Sequence, residues 1–385
     1  MDFNPCLKHQ LIRKIVREFA ENEIKPHVAM LDRESRFAWE IIEKMKPLNF
    51  FGIQVPRAHG GADLDTISYA IVIEEISRVS AALGLCVTVH NSVGIYPILK
   101  FGTKEQIEKF VPPMAHGDSI GAFCLTEANA GSDPGGIETN AVETDNGFLL
   151  NGTKIFVTNG GVCSTILVFA LVEDNKDKHN SRYPSVFIVE KDRPGFSVGE
   201  IEDLCGMRAN PVSSLFFEDC WIPKSNLLGR KGQGIKIGLT ALDTGRIGIA
   251  AQALGIAQAA FEASVSYAKE RQQFNRPISE FQTIQNYLAN MATQIDASRL
   301  LLYRAAACKD SSKPFSAEAS MAKLHCSATA RKVTDLAVQI HGGYGYSKEY
   351  DVERYFRDAK VTQIYEGTSE VQQMVIASSI LSQPD

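Results

Sequence analysis

Asp145-Asn146-Gly147-Phe148-Leu149-Leu150-Asn151-Gly152 places two Asn-Gly pairs around a short apolar run. Asn and Gly tolerate the left-handed backbone that tight hairpin turns need, so each pair predicts a reversal between strands. The neighbouring pattern agrees, since Thr165 to Val172 and Pro184 to Val189 read as buried strands bounded by polar residues. A compact antiparallel β domain is expected over 119–229.

On both sides of this segment the apolar period changes to that of a helix. Ile41, Ile42 and Met45, then Tyr69, Ile71, Val72 and Ile76, recur at helical spacing, with Pro56 and Gly60-Gly61-Ala62-Asp63 marking a loop between them. Beyond Gly229, the series Phe281, Ile284, Leu288, Met291 and Ile295 alternates steps of three and four, the seam of a packed bundle. Ile247 to Ala260 is rich in Ala and Gly, which permits close helix packing. The expected organisation is therefore an all-α domain at 1–118, the β domain at 119–229 and an α-helical domain at 230–385.

A length of 385 residues with 44% hydrophobic composition supports a large core divided among domains. The formal net charge of -5, with no basic run interleaved with aromatics, argues against a nucleic-acid surface. The eight cysteines are scattered, without a C-x-x-C pair or His at ligand spacing, so neither a metal site nor a disulfide scaffold is expected. Leu7, Leu11, Ile15, Val16 and Phe19 form an amphipathic helix pattern, not a signal sequence, and no apolar stretch reads as long enough to span a bilayer. A soluble cytoplasmic protein is the expectation.

Three segments carry candidate chemistry. In Ile364-Tyr365-Glu366-Gly367-Thr368-Ser369-Glu370, a carboxylate lies between an aromatic residue and a glycine, just ahead of an apolar helical run that Thr368 can cap. Shielding by Ile364 and Tyr365 would raise its pKa from about 4.3 toward neutrality, as a base working near pH 7 requires; the same letters also describe a solvated loop glutamate. In Cys124-Leu125-Thr126-Glu127-Ala128-Asn129-Ala130-Gly131-Ser132-Asp133-Pro134-Gly135-Gly136, a strand-like run breaks into a hydroxyl-rich loop. Backbone N–H groups at Gly131 and Ser132, with the Thr126 and Ser132 hydroxyls, can hold carbonyl or phosphate oxygens. The third segment, Gln339-Ile340-His341-Gly342-Gly343-Tyr344-Gly345-Tyr346 followed by Glu349, Arg354 and Asp358, makes a glycine turn for close approach.

With these motifs in this order, the chain resembles the acyl-CoA dehydrogenase family from end to end, and the segment around Glu366 is similar to that of short-chain and bacterial butyryl-CoA members. The resemblance implies a mainly α, α+β fold: an N-terminal helical domain, a middle antiparallel β-barrel-like domain and a C-terminal four-helix bundle, assembled as a homotetramer. It implies FAD as cofactor, an acyl-CoA substrate and an electron-transfer flavoprotein as partner. Glu366 would remove the α-proton while the β-hydrogen leaves as hydride to flavin N5. Some relatives carry their base at the position of Gly245, which cannot serve as one. The Glu366 backbone N–H, with a flavin ribityl hydroxyl, would polarise the thioester carbonyl.

By the same resemblance, Phe123, Leu125, Thr126, Gly131 and Ser132 would meet one side of the flavin and Phe156, Val157 and Thr158 the other. Many relatives have Trp where this chain has Phe156, and Ile155-Phe156-Val157 also reads as a strand of core residues. Arg271, Gln273, Phe274, Phe281 and Gln282, with Gln339, Ile340, Gly342 and Gly343, would hold pyrophosphate and adenine across a subunit interface, and Thr368 and Glu370 complete the flavin contacts. Ser132, Asp243, Arg246, Tyr365 and Gly367 fall at substrate positions, although Asp243 and Arg246 equally suit an ion pair within one helical turn. Val89, His90, Asn91 and Ser92 fall at the inner end of the acyl cavity. His90 there is either a satisfied core histidine or a group admitting a branched, cyclic or functionalised acyl chain. Gly232-Gln233-Gly234 lacks the G-x-G-x-x-G form, so a nicotinamide-binding fold is not supported. An acyl-CoA oxidase, an enoyl-CoA reductase on the same fold and an inactive helical binding or assembly module remain as alternatives.

Overall fold

The predicted apolar faces become buried helix faces: Ile41, Ile42 and Met45 are sealed in one short helix, and Tyr69, Val72 and Ile76 in a longer one. The computed structural model describes residues 6–173 and 183–382. Its N-terminal part comprises α1 (Leu7–Phe19), α2 (Lys25–Glu34), α3 (Trp39–Met45), α4 (Thr66–Val79), α5 (Ala81–Val89), α6 (Tyr96–Phe101) and α7 (Lys104–His116). The start of α4 is fixed by Asp65, whose carboxylate accepts the Ser68 N–H at 2.7 Å. Contrary to expectation, one helical run, Ala81–Phe101, is long and apolar enough to cross a membrane; 89% of its most apolar window is buried inside the protein, where it serves as a core helix.

The β part contains β1 (Gly121–Cys124), β2 (Asn140–Glu143), β3 (Gly147–Thr158), β4 (Thr165–Glu173), β5 (Pro184–Glu190), β6 (Phe196–Ile201), β7 (Val212–Pro223) and β8 (Leu227–Leu228). They form one sheet in the order β6-β7-β3-β2-β4-β5-β8, with β1 also on β4. The sheet is mixed, not wholly antiparallel, because β1 and β2 both run parallel to β4 along one edge. The chain leaves that edge after Cys124, loops out and rejoins it at Asn140. Asn146-Gly147 makes the predicted hairpin, closed by Thr144 N–H on the Gly147 carbonyl at 2.9 Å. Asn151-Gly152 does not turn the chain. It lies within β3 at a register shift against β7, with Gly152 at φ +148° and an added Cβ there blocked by Thr139. A bulge and a turn ask for the same backbone freedom, which is why the dipeptide misleads.

The C-terminal part holds α8 (Gly234–Glu270), the small hairpin β9 (Gln272–Gln273) and β10 (Arg276–Pro277), α9 (Gln282–Asp310), α10 (Ser316–His341), α11 (Val352–Val361) and α12 (Ser369–Leu381). Met291 and Ile295 from the predicted seam are buried. Gly255 lets α8 lie directly on the backbone of α4 at Glu74 and Arg78. A buried ion network locks the N-terminal helices to the bundle: Glu74 accepts from Arg13 and from Arg299, each at 2.8 Å, and Glu75 accepts from Arg13 and Arg17. Such a network specifies one arrangement more than it adds stability. It holds in register the helical walls around the site.

Candidate active site

Between α11 and α12 the chain turns through two consecutive positive φ values, Glu366 at 54° and Gly367 at 95°. A non-glycine residue in that region is strained and persists only where its surroundings hold it. Here both carbonyls are fixed. The Gln372 side-chain amide donates to the Glu366 and Gly367 oxygens at 3.2 and 2.8 Å, and Lys323 Nζ donates to the Gly367 oxygen at 2.7 Å. Thr368 caps α12 through the Val371 N–H, as the sequence suggested.

The turn delivers the Glu366 carboxylate onto α8. Glu366 is partly buried as a residue, yet both carboxylate oxygens are shut off from solvent and have no hydrogen-bond partner among the described residues. Burial pushes its pKa up to about 8, against the downward pull of the Lys323 and Arg246 charges. The carboxylate rests over Gly245: a Cβ there would overlap Oε2 and lie 2.6 Å from Cδ. A desolvated carboxylate without a donor is poised to take a proton from whatever lies beside it.

What lies beside it is a cleft of about 200 Å³ assembled from all three parts of the chain. β1 contributes Phe123 and the loop after it Leu125, Thr126, Gly131 and Ser132; β3 contributes Phe156 and Thr158; α8 and the Glu366 turn contribute Arg246, Glu366 and Gly367. The loop is stapled from within. Glu127 accepts the N–H groups of Glu138 and Thr139, and the fully buried Lys154 ammonium bonds both Glu127 and the Leu125 carbonyl. A second β3 register shift leaves Phe156 at φ 53° and 59% exposed, turned out toward the cleft. Open space beside Gly131 and an exposed aromatic face beside hydroxyls suit a flat ring with polar edges.

Several predicted residues lie elsewhere. The Val157 side chain is buried in the β core and does not line the cleft. Asp243 does not line it either; it accepts from Arg246 Nη1 and Ser316 Oγ, both at 2.8 Å, and so orients an Arg246 that is 4% exposed and whose Nε lacks a partner among the described residues. Tyr365 is turned away, its hydroxyl on Gln252. His90 is a satisfied core histidine. Its Nδ1 accepts the Gly121 N–H at 2.9 Å, its Nε2 lies 3.0 Å from the carbonyls of Phe51 and Met114, and burial brings its pKa down to about 4. His90→Ala is accordingly expected to lower stability by about 2–4 kcal/mol, through a cavity and orphaned backbone groups, without changing substrate preference. A denaturation curve alongside a substrate panel checks this.

Arg271, Gln273, Ile340, Gly342 and Gly343 line a separate cavity of about 590 Å³, with Tyr267 and His341 stacked at 4.2 Å on its side. Nothing lies within 4 Å of a Cβ added at Gly342 or Gly343. Phe274 sits at the tip of the β9–β10 hairpin, 87% exposed, and Phe281 packs edge-on to it. Gln282, Gln339 and Glu370 line neither cavity, Glu370 being exposed on the first turn of α12. A single chain does not bring this second group to Glu366.

Lys154 and Lys323 escaped the sequence reading. For Lys323 the available signal was a lysine within the apolar helical run Met321-Ala322-Lys323-Leu324; Lys154, which follows Asn151-Gly152-Thr153 and lies between two register shifts of β3, carries no such signal.

Sequence models described as acyl-CoA dehydrogenase N-terminal, middle and C-terminal domain match residues 7–118, 122–220 and 232–381. The chain is 48% identical over 371 residues to an acyl-CoA dehydrogenase of Bacillus subtilis, covering 96% of this chain and 97% of that one. It is 44% identical over 383 residues to an acryloyl-CoA reductase (NADH) of Anaerotignum propionicum, covering 99% and 96%. The solved structure of butyryl-CoA dehydrogenase from Megasphaera elsdenii matches with a TM-score of 0.96 at 42% identity, over 99% of this chain and 100% of that one.

Proposed function

Since this chain belongs to the acyl-CoA dehydrogenase family of FAD-dependent oxidoreductases, we propose that it introduces an α,β double bond into a short-chain acyl-CoA thioester, with Glu366 as the α-proton base. The observation that carries this reading is the orphaned, desolvated carboxylate over Gly245, set in a cleft walled by aromatic and hydroxyl side chains. Bound FAD supplies an acceptor for the β-hydrogen. Its ring would be held by Phe123, Leu125, Thr126, Ser132, Phe156 and Thr158, and its distal half by Arg271, Gln273 and the Ile340 to Gly343 turn of a neighbouring subunit, in a homotetramer.

The protein's own part is to hold the proton acceptor. Glu366 is dry, so its attraction for a proton is not spent on water, and Arg246, tethered by Asp243, keeps Nε available to a polar group of the CoA arm. The Glu366 N–H would meet the thioester oxygen and lower the barrier to α-proton loss. A short acyl group is favoured by the small cleft, whose lining also includes Val89, Val93, Leu239 and Leu242. We further propose an electron-transfer flavoprotein as the electron acceptor.

The test is anaerobic mixing of FAD-loaded protein with straight, branched and cyclic acyl-CoA thioesters. The yellow flavin colour should bleach fastest with a four-carbon chain. Absence of bleaching with every thioester would overturn the reading. A second reading, the same chemistry run toward saturation, is favoured by the likeness to acryloyl-CoA reductase, and a Glu366 protonated near pH 7 is suited to give a proton back. Prompt reoxidation of chemically reduced enzyme by a short enoyl-CoA, faster than the forward bleaching, would select it.

A further inference from the structure

The Glu366 turn rests on a residue that proton abstraction does not itself require. Lys323 projects from α10 with 0% exposure, and its one hydrogen bond among the described residues runs to the Gly367 carbonyl at 2.7 Å. No carboxylate is salt-bridged to it among the described residues. A buried ammonium without a bonded anion is costly, so an electrostatic partner nearby matters. The carboxylate that acts on it most strongly is Glu366, with Glu370 of α12 a weaker second.

We propose that Lys323 is a positioning residue for Glu366: it anchors the Gly367 carbonyl, thereby fixing the left-handed turn that lays the carboxylate over Gly245, and it presents a positive charge to that carboxylate at neutral pH. The inference rests on the reading of Glu366 as the base. The groups acting on Glu366 or on its partner are Arg246 from α8, Tyr69 from α4, the adjacent Tyr365, Lys323 from α10 and Glu370 from α12. Arg246 is already paired with Asp243, and the two tyrosines, both pushed upward by burial, stay neutral. That leaves Lys323 as the cation not committed to another carboxylate. Burial lowers its own pKa to about 8, so it is still charged at neutral pH. Without it, the desolvated carboxylate would hold its proton to still higher pH.

The test uses FAD-loaded wild type, Lys323→Met, Lys323→Gln and Lys323→Arg. Two midpoints are followed against pH: the Glu366 carboxylate infrared band, taken as the difference from Glu366→Gln without substrate, and the rate of single-turnover bleaching by butyryl-CoA. Loss of the charge in Met and Gln should move both midpoints up by about one unit, which is about tenfold slower reduction at pH 7 with little change in KM. Lys323→Arg should restore the wild-type midpoint. Gln keeps a donor for the Gly367 carbonyl, so the Gln–Arg contrast decides even if Met does not fold. Equal midpoints in Gln and Arg, or a wild-type midpoint in Gln, would reduce Lys323 to packing and overturn the proposal. A shifted infrared midpoint with a Glu366→Gln enzyme that still bleaches would uphold the coupling and sink the base assignment; an unmoved midpoint with bleaching lost in Glu366→Gln would do the reverse.

Discussion

Glu366→Gln is expected to keep its yellow colour and to lose reduction by short acyl-CoA thioesters by at least about a thousandfold, the scale of a general base removed from its transition state. Gln matches the carboxylate in size, so the turn, its Lys323 and Gln372 bonds and the seat over Gly245 all survive. What goes is the ability to accept a proton. In the wild type only the ionised carboxylate acts, and its pKa stands near 8, so the reduction rate at low substrate should rise with pH toward that value and level off above it. The variant should show no such limb. Stability should move the opposite way. Below the unfolded pKa of about 4.5 both states hold the proton. As pH rises past it the unfolded chain releases its proton while the folded protein retains it, so stability falls up to about pH 8. Gln has no such slope, and at pH 7 the variant should be more stable by about 3 kcal/mol. Urea unfolding at pH 4 and pH 7 measures this. A variant that is inactive but whose stability gain over the wild type is no larger at pH 7 than at pH 4 would mean that the side chain is solvated, and the site reading would fail with it.

The order helical, β, helical was legible because helix and strand differ in apolar period, and the structure passes from helix to β1 and from β8 to α8. Strand direction was not legible. Nothing local to Ala122 or Val142 says that both lie parallel to β4; that follows from the loop after Cys124 returning to the same edge. Asn151-Gly152 shows the related limit, one backbone requirement serving two structures. Within the site, a shielded Glu366 was expected but for the wrong reason: Ile364 is 51% exposed and Tyr365 turns away to Gln252, and it is α8 at Gly245 that the carboxylate packs against. His90 was ambiguous because its partners, the backbones of Phe51, Met114 and Gly121, are distant in sequence. Lys323 was hidden for the same reason: its acceptor is a carbonyl of Gly367, on another element.

Gly245→Ala carries the second large effect, and it separates chemistry from folding. In the middle of a helix, alanine is favoured over glycine by about 1 kcal/mol. At this position the gain meets an obstacle, since the new methyl would occupy the space of the Glu366 carboxylate, with Cδ at 2.6 Å and Oε1 at 2.8 Å. Something has to move. The α8 backbone is buried against α4 and α10, while the Glu366 side chain ends in an oxygen pair with no hydrogen-bond partner among the described residues, so the carboxylate yields first. A displacement of about 1 Å from the reacting geometry costs about a hundredfold in rate, and the strain of overpacking, about 1–3 kcal/mol, largely offsets the helical gain. The expected enzyme is folded, holds flavin and bleaches about a hundredfold more slowly. A double-mutant cycle makes the cause explicit. In a Glu366→Gly background the obstacle is absent, so Gly245→Ala should turn from neutral or destabilising to stabilising by about 1 kcal/mol. If the alanine has the same effect on stability in both backgrounds, the carboxylate does not rest on α8, and the geometry from which Glu366 was assigned its role is wrong.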